Sequence, residues 1–374
     1  MANISTFGQT IDQISRLTVQ QVRLDTLTEQ LATGKKTQFF GDLSSEAIVS
    51  KRARADIRAT ESFINNIVNT QRRINLMLAS IEDVKQQASS LLQSIASATQ
   101  QGELPDLPAM QELAESVYEF SKDVINSKDN DRFLFAGADS STRPITDTGL
   151  FTSFLGEFVP DSSDLTLPAL VSSGVIGQWG DGTIDTDTFI QTYRGTDDTT
   201  LGYSPSLVNG TAGDVFVRVD EKSEFKYTVL GNTDGFRDVI IASNVLANLP
   251  PVEFAPGALN DPTATTLAGD TPPSPPAEKQ ENFFQVFNDL GAMLSNAIDE
   301  LDRESFRIGL VQSNINTVQI SHEQDINTLK TIVGEVEDAD ITEIATSISQ
   351  IQVQLEASFR VSASIAELSL ARFI

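Results

Sequence analysis

No cysteine occurs among the 374 residues, which removes disulfide frameworks, thiolate metal sites and cysteine nucleophiles. Histidine occurs once, as His322. Zinc sites and acyl-transfer triads lean on histidine, so most such chemistry is closed to this chain. Basic residues are scarce, 26 against 52 acidic ones, giving a net charge of −26. A surface that acidic repels DNA, RNA and anionic membranes, so neither nucleic acid nor membrane is expected as a partner. No apolar run reaches the ~18 residues that suggest a membrane span. The opening residues, Met1-Ala2-Asn3-Ile4-Ser5-Thr6, lack a basic region followed by an apolar core, so a Sec-type signal peptide is not expected. Proline is missing outside Pro105–Pro276. There is no glycine-rich phosphate loop, no GxSxG turn and no supported carboxylate pair, so no enzyme activity, metal or cofactor is expected. What is present is a hydrophobic fraction of 40%, that of a chain that folds, at a length sufficient for two or three domains.

The final stretch, Val336 to Ile374, has neither proline nor glycine, and Ile341, Ile344, Ile348, Ile351 and Leu355 recur at steps of three and four. That spacing is one apolar seam on an α-helix, close to a coiled-coil pattern. Asp340 followed by Glu343 reads as a capping box just after Gly334. A helix of roughly 34 residues, about 50 Å long, is expected from Ile341 onward, and it needs a partner for its seam.

The first stretch mirrors it. Ile4, Phe7, Ile11, Ile14, Leu17, Leu24, Leu27 and Leu31 define a helix over about Ser5–Ala32, stopped at Thr33-Gly34-Lys35-Lys36. After a short loop holding Phe39 and Phe40, a second helix is expected from about Ser45 to Gln101, where breakers are absent. A third follows over about Pro108–Asn126. From Asn282 the helical pattern returns in two segments, one through Leu301 and another from Ile308 to Gly334.

Between these lies a different region. From Ser141 to Gln280 acidic residues outnumber basic ones about threefold. Asp214–Asp220 and Phe225–Leu230 read as a hairpin, with a helix near Phe236–Leu249 after it. Short β-prone runs fill Leu150 to Tyr203, and Val252–Glu278, with its Pro272–Pro276 cluster, reads as a linker or exposed loop. The chain is thus nested. The expected fold is α+β: a long nested helical coiled-coil rod formed by both chain ends, with a central β-rich insertion. The seams are wide for a single partner, which points to packing against other copies.

Individual candidates are weighed against their ordinary roles. His322 is expected to be a lone exposed helix histidine. Asp129-Asn130-Asp131 lacks the glycine and glutamate of a calcium loop and is read as a turn. Asp181-Gly182-Thr183-Ile184-Asp185-Thr186-Asp187 is read as solvated turn chemistry rather than a metal site. Arg52, Arg54 and Arg58 with Asp56 and Glu61 form either a partner-binding face or a solvated helix face. Phe39 and Phe40 either pack against a neighbouring subunit or do not.

Three stretches carry a resemblance to the flagellin superfamily. Ile4-Ser5-Thr6 through Leu31-Ala32-Thr33-Gly34-Lys35-Lys36 resembles the family's N-terminal helix and its terminating signature. Asp131-Arg132-Phe133-Leu134-Phe135-Ala136-Gly137 is similar to a segment of the hook–filament junction branch, the hook-associated protein 3 branch. Val336–Glu343 with the following helix resembles the C-terminal signature. The end, Ala363-Ser364-Ile365-Ala366-Glu367-Leu368, lacks the Q-A-N segment usual in filament flagellins, which favours the junction branch, and Gly41-Asp42-Leu43-Ser44-Ser45 departs from many relatives. The resemblance implies a structural subunit of the bacterial flagellum that joins hook to filament by self-assembly through its terminal helices, with filament flagellin as the alternative. It also implies three domains: residues 1–40 with 336–374 as a terminal coiled coil, 41–140 with 280–335 as a helical rod, and 141–279 as a variable, β-containing outer domain. Implied partners are other copies of the chain, a hook-side junction protein, filament flagellin and a cytoplasmic export chaperone. Implied localisation is the extracellular flagellum, reached by type III export without a cleaved signal. The expected assembly interface is Ile4, Phe7, Ile11, Ile14, Leu17, Leu24, Leu27, Leu31, Ile341, Ile344, Ile348, Ile351 and Leu355.

Overall fold

The computed structural model describes residues 2–43, 45–101, 106–146, 149–156, 174–180, 182–252, 255 and 277–371. The chain divides into two compact units, Met1–Phe63 with Ile320–Ile374, and Ile64–Gln319. The first unit holds α1 (Ala2–Thr33), the start of α2 (Glu46–Gln101), the end of α9 (Ala277–Glu337) and α10 (Ile341–Ala371). In it α1 packs along α10.

The second unit holds the remainder of α2 and α9 with the elements between them. These are α3 (Leu107–Ile125), hairpin strands β1 (Lys128–Asp129) and β2 (Arg132–Phe133), short helices α4 (Leu150–Leu155), α5 (Val175–Gly180), α6 (Thr186–Arg194) and α7 (Pro205–Val208), hairpin strands β3 (Phe216–Arg218) and β4 (Glu224–Lys226), and α8 (Asp234–Ala247). Here α2 and α9 run side by side. Gln312 Nε2 donates to Asn75 Oδ1 at 2.5 Å, and Lys85 Nζ reaches Asp302 at 2.5 Å. Ile67, Ile74, Ile81, Val84 and Leu91 of α2 are fully buried, as are Val286, Phe287, Leu290, Leu294 and Leu301 of α9. Helix α3 packs on α8, and the rings of Phe135 and Phe236 meet edge-on at 5.1 Å.

Two expectations change. The central region is not β-rich: among its described residues the strands are those of the β3–β4 hairpin, with isolated bridges Ala136↔Leu230 and Ile145↔Tyr203, and the β1–β2 hairpin precedes it. Of the β3–β4 hairpin, β3 falls inside Asp214–Asp220 and β4 starts at Glu224, one residue before the expected segment, in the register Val217↔Phe225. Of the residues that looked β-prone between Leu150 and Tyr203, those of Leu150–Leu155, Val175–Gly180 and Thr186–Arg194 form helices instead. Asp185 caps α6 by accepting from the Thr188 N–H at 2.7 Å, and Phe189 and Tyr193, one turn apart, then fall on one buried face. Trp179 of α5 stacks on Phe189 with centroids 5.0 Å apart. Aromatic and β-branched residues favour strands only where a pleated surface receives them, and here a capped helix takes them into the core.

The two segments expected from Asn282 to Gly334 are one helix, α9. The polar interval Asp302-Arg303-Glu304-Ser305 falls between those two segments. It continues the helix because its charges pair along it: Arg303 with Glu300, Arg307 with Glu304 at 2.7 Å, and Asp302 with Lys85 of α2. The proline-rich stretch Val252–Glu278 lies almost wholly outside the described residues.

Candidate assembly interface

Helix α1 ends where its glycine permits. Gly34 sits at φ +69° and donates its N–H to the Gln30 carbonyl at 2.8 Å, a left-handed cap that a side chain would strain. Helix α10 starts at Ile341, where Asp340 Oδ1 accepts from the N–H groups of Thr342 at 2.8 Å and Glu343 at 3.2 Å. These are the donors that a helix start otherwise leaves without partners.

The end of α1 and the start of α10 are tied together. Lys35 bridges Asp338 in an antiparallel backbone pairing, Lys36 N–H donates to the Glu337 carbonyl at 2.8 Å, and Ala339 N–H to the Gly34 carbonyl at 3.0 Å. Glu337 is the node. Its carboxylate is buried and receives Arg54 Nε at 2.8 Å and Nη2 at 2.5 Å, together with the Ser50 hydroxyl. Lys35 Nζ stands 3.6 Å away. The Arg54 hydrogen bonds, aided by Ser50 and the Lys35 charge, outweigh desolvation and hold the Glu337 carboxyl down at about 2. One carboxylate thereby joins α1, α2 and the α9–α10 connection.

Beyond this node the two helices run as a pair. On α1 the partly buried positions are Gln13, Leu17, Gln20, Leu24, Leu27 and Gln30, a three-four repeat of three leucines and three glutamines. Facing them, Ile344 and Ile351 are each 6% exposed, and Ile348 and Leu355 are half-buried. Gln20 Nε2 donates to Gln354 Oε1 across the pair at 3.3 Å. Of the thirteen expected interface residues, Leu17, Leu24, Leu27, Ile344, Ile348, Ile351 and Leu355 thus meet in the seam. Ile11, Ile14, Leu31 and Ile341 lie outside it and are exposed. The side chains of Ile4 and Phe7 lie outside the described residues.

The seam is only part of the apolar surface. Val19 is 65% exposed and Val353 67%, and Val22, Phe359 and Val361 are also exposed. Sequence periodicity passed over these because they fall off the three-four repeat. Their signal was the near absence of a charged face: α10 carries only Glu343, Glu356, Arg360 and Glu367 among its 31 residues. A helix with apolar residues on all sides belongs in an interior, and the pair supplies only one covered side.

Other candidates resolve locally. Asp129-Asn130-Asp131 is the turn of the β1–β2 hairpin, with Asn130 at φ +54° and Asp129 accepting from Arg72. In the Asp181–Asp187 stretch, Asp185 is a helix cap, while Asp181 lies outside the described residues. Among the described residues no cluster of potential metal ligands occurs. His322 stacks on Phe63 with centroids 6.0 Å apart. In Asp131–Gly137, Phe133, Leu134 and Phe135 are buried, and Gly137 sits at φ +65°, where a Cβ would lie 2.6 Å from the Gly213 carbonyl. That motif is core architecture of the second unit.

No protein-family model matches the chain, and no curated protein matches it. Among solved structures, a provisionally assigned flagellar hook-associated protein from Vibrio parahaemolyticus aligns over 77% of this chain and 96% of its own, at 12% identity and a TM-score of 0.41. Similarity at that level does not define a family, and the functional reading rests on the chain's own residues.

Proposed function

We propose that the chain is a structural subunit of the bacterial flagellum, an adapter between hook and filament that polymerises through α1 and α10. The observation that carries the assembly part is the apolar surface this helix pair leaves uncovered: Ile11, Ile14, Val19 and Val22 on one helix, Val353, Phe359 and Val361 on the other. Burying it against neighbouring copies gains roughly 25 cal/mol per Å² of apolar area, offset by the entropy of ordering the helices. The flagellar part rests on the resemblance of residues 4–36, 131–137 and 336–343 to the flagellin superfamily. The junction rather than filament role rests on the Phe133–Gly137 segment and the missing Q-A-N. The partners would be other copies, a hook-side junction protein, filament flagellin and an export chaperone, and the site of action the extracellular flagellum. The three domains would be the terminal coiled coil, a helical layer and the acidic outer region.

Removing about 30 residues from either end is expected to leave a soluble protein that cannot assemble or restore motility in a strain lacking the gene. Restored motility would sink the proposal. Immunogold labelling of sheared flagella tests the location: label confined to the hook-proximal end supports the junction role, and label along the whole filament supports a flagellin.

A further inference from the structure

The first turns of α2 carry a surface that the α1–α10 pair does not use. Ile48, Arg52, Ala55 and Ala59 recur at steps of three and four, so they share one face of the helix. Lys51 and Arg58 flank that face on one side and Asp56 on the other, leaving three cations to one carboxylate, and all seven residues are exposed. Beside it stands the loop aromatic pair, with Phe39 70% exposed and Lys51 Nζ lying 5.7 Å from the centre of the Phe40 ring. Arg54, the fourth cation of this stretch, turns to Glu337. Lys51, Arg52 and Arg58 form no ion pair among the described residues. Arginine and aromatic side chains around a small apolar centre are the composition of a protein–protein contact.

We infer that this cationic face binds the acidic second unit of another copy of the chain. The inference rests on the reading of the protein as a self-assembling subunit and names one of its contacts. Charge selects the occupant. Residues 64–319 hold 36 of the 52 acidic residues and only 15 of the 26 basic ones. Copies that each carry −26 repel on approach. An ordered assembly therefore gains most where an unpaired cationic face meets the region holding the acidic surplus. The same net charge argues against nucleic acid as the occupant. Phe39 and Ile48 supply the apolar centre around which the charges are desolvated.

The test uses the full-length chain, as an equal mixture of ¹⁵N-labelled and unlabelled protein at concentrations where it self-associates. It is treated with a zero-length carbodiimide that couples lysine amines to carboxylates. The expected product is a mixed-isotope peptide joining Lys51 of one copy to a carboxylate within residues 64–319 of another. Coupling of Lys51 only within its own copy, only to carboxylates of residues 1–63 or 320–374, or to none overturns the inference, as does failure of the chain to self-associate. In parallel, Arg52→Glu with Arg58→Glu, checked for retained helix content, is expected to weaken self-association roughly tenfold at about 0.01 M salt. The deficit should shrink near 1 M, where charges are screened within ~3 Å. Assembly equal to wild type at both salt concentrations overturns it too. The two readings fail separately. Assembly that survives terminal truncation while Lys51 still couples between copies condemns the helix-pair reading alone. Assembly lost on truncation with no Lys51 coupling condemns this one alone.

Discussion

Glu337 shows how one side chain fixes where three helices meet. Its carboxylate is buried, but Arg54 and Lys35 keep nearly half of their side-chain surface in water, so the pairing contributes less than a fully buried one. Glu337→Gln is expected to cost the first unit about 1–2 kcal/mol at neutral pH. The sign of its pH dependence follows from the shift. The folded carboxyl sits at about 2 against its ordinary 4.5, so its contribution is full above pH 4.5 and fades as pH falls toward 2. Denaturation followed by circular dichroism should show wild type and Glu337→Gln converging over that window; a constant gap would rule out the charge as the cause. Asp238 in α8 has the opposite sign. Burial, the like charge of Asp234 one turn earlier and Glu300 push its carboxyl up from 3.8 to about 6, against the pull of Arg237 and Arg194. Its ionised form is therefore a burden above pH 6 that lifts as pH falls toward 4. Asp238→Asn should raise the stability of the second unit by about 1 kcal/mol at pH 7 and by nothing near pH 3.5, measured by urea titration at both.

At the scale of elements, α10 separates two kinds of apolar residue that the sequence presents alike. Ile351 is buried against α1, whereas Val353, two residues on, is open to solvent. Ile351→Ala should loosen the isolated chain by about 2 kcal/mol or more. Val353→Asp should leave its helix content unchanged and block polymer formation, read by sedimentation of assembled material. An assembling Val353→Asp chain would show that this side of α10 faces solvent in the polymer. The same elements show what the residues disclosed in advance. Gly34 and Asp340 marked the inner ends of α1 and α10 because caps are local chemistry, readable from one or two side chains. The seam was legible as a repeat. Its glutamines, Gln13, Gln20 and Gln30, were not, because a polar residue in a seam is recognised only once its partner is known. The single span of α9 was hidden because Asp302 takes its partner, Lys85, from α2. Helices α5 and α6 were hidden because Trp179, Phe189 and Tyr193 suit a strand as well as a helix until the core around them exists.

Across the whole molecule, burial is unevenly divided. The largest fully buried side chains, among them Trp179, Tyr193, Phe135, Phe189, Phe236 and Phe287, all belong to residues 64–319. The first unit has Ile344 and Ile351 in its seam, aided by glutamines and one carboxylate node, and much of its apolar surface remains in water. A unit that leaves so much of its apolar surface in water should be the less stable one, because opening free energy follows the apolar contact that opening loses. Calorimetry of the full chain below its assembly concentration is therefore expected to show two heat-absorption steps. Removing residues 1–33 and 341–374 should abolish the lower step and leave the midpoint of the upper one unchanged. Ionic strength should act on the upper step, since the acidic surplus of residues 64–319 repels itself and salt relieves that repulsion. A single transition that shifts as a whole on truncation would mean that the terminal helices help hold the second unit together. The exposed valines and phenylalanine of α1 and α10 would then have to be explained by something other than a partner still to come.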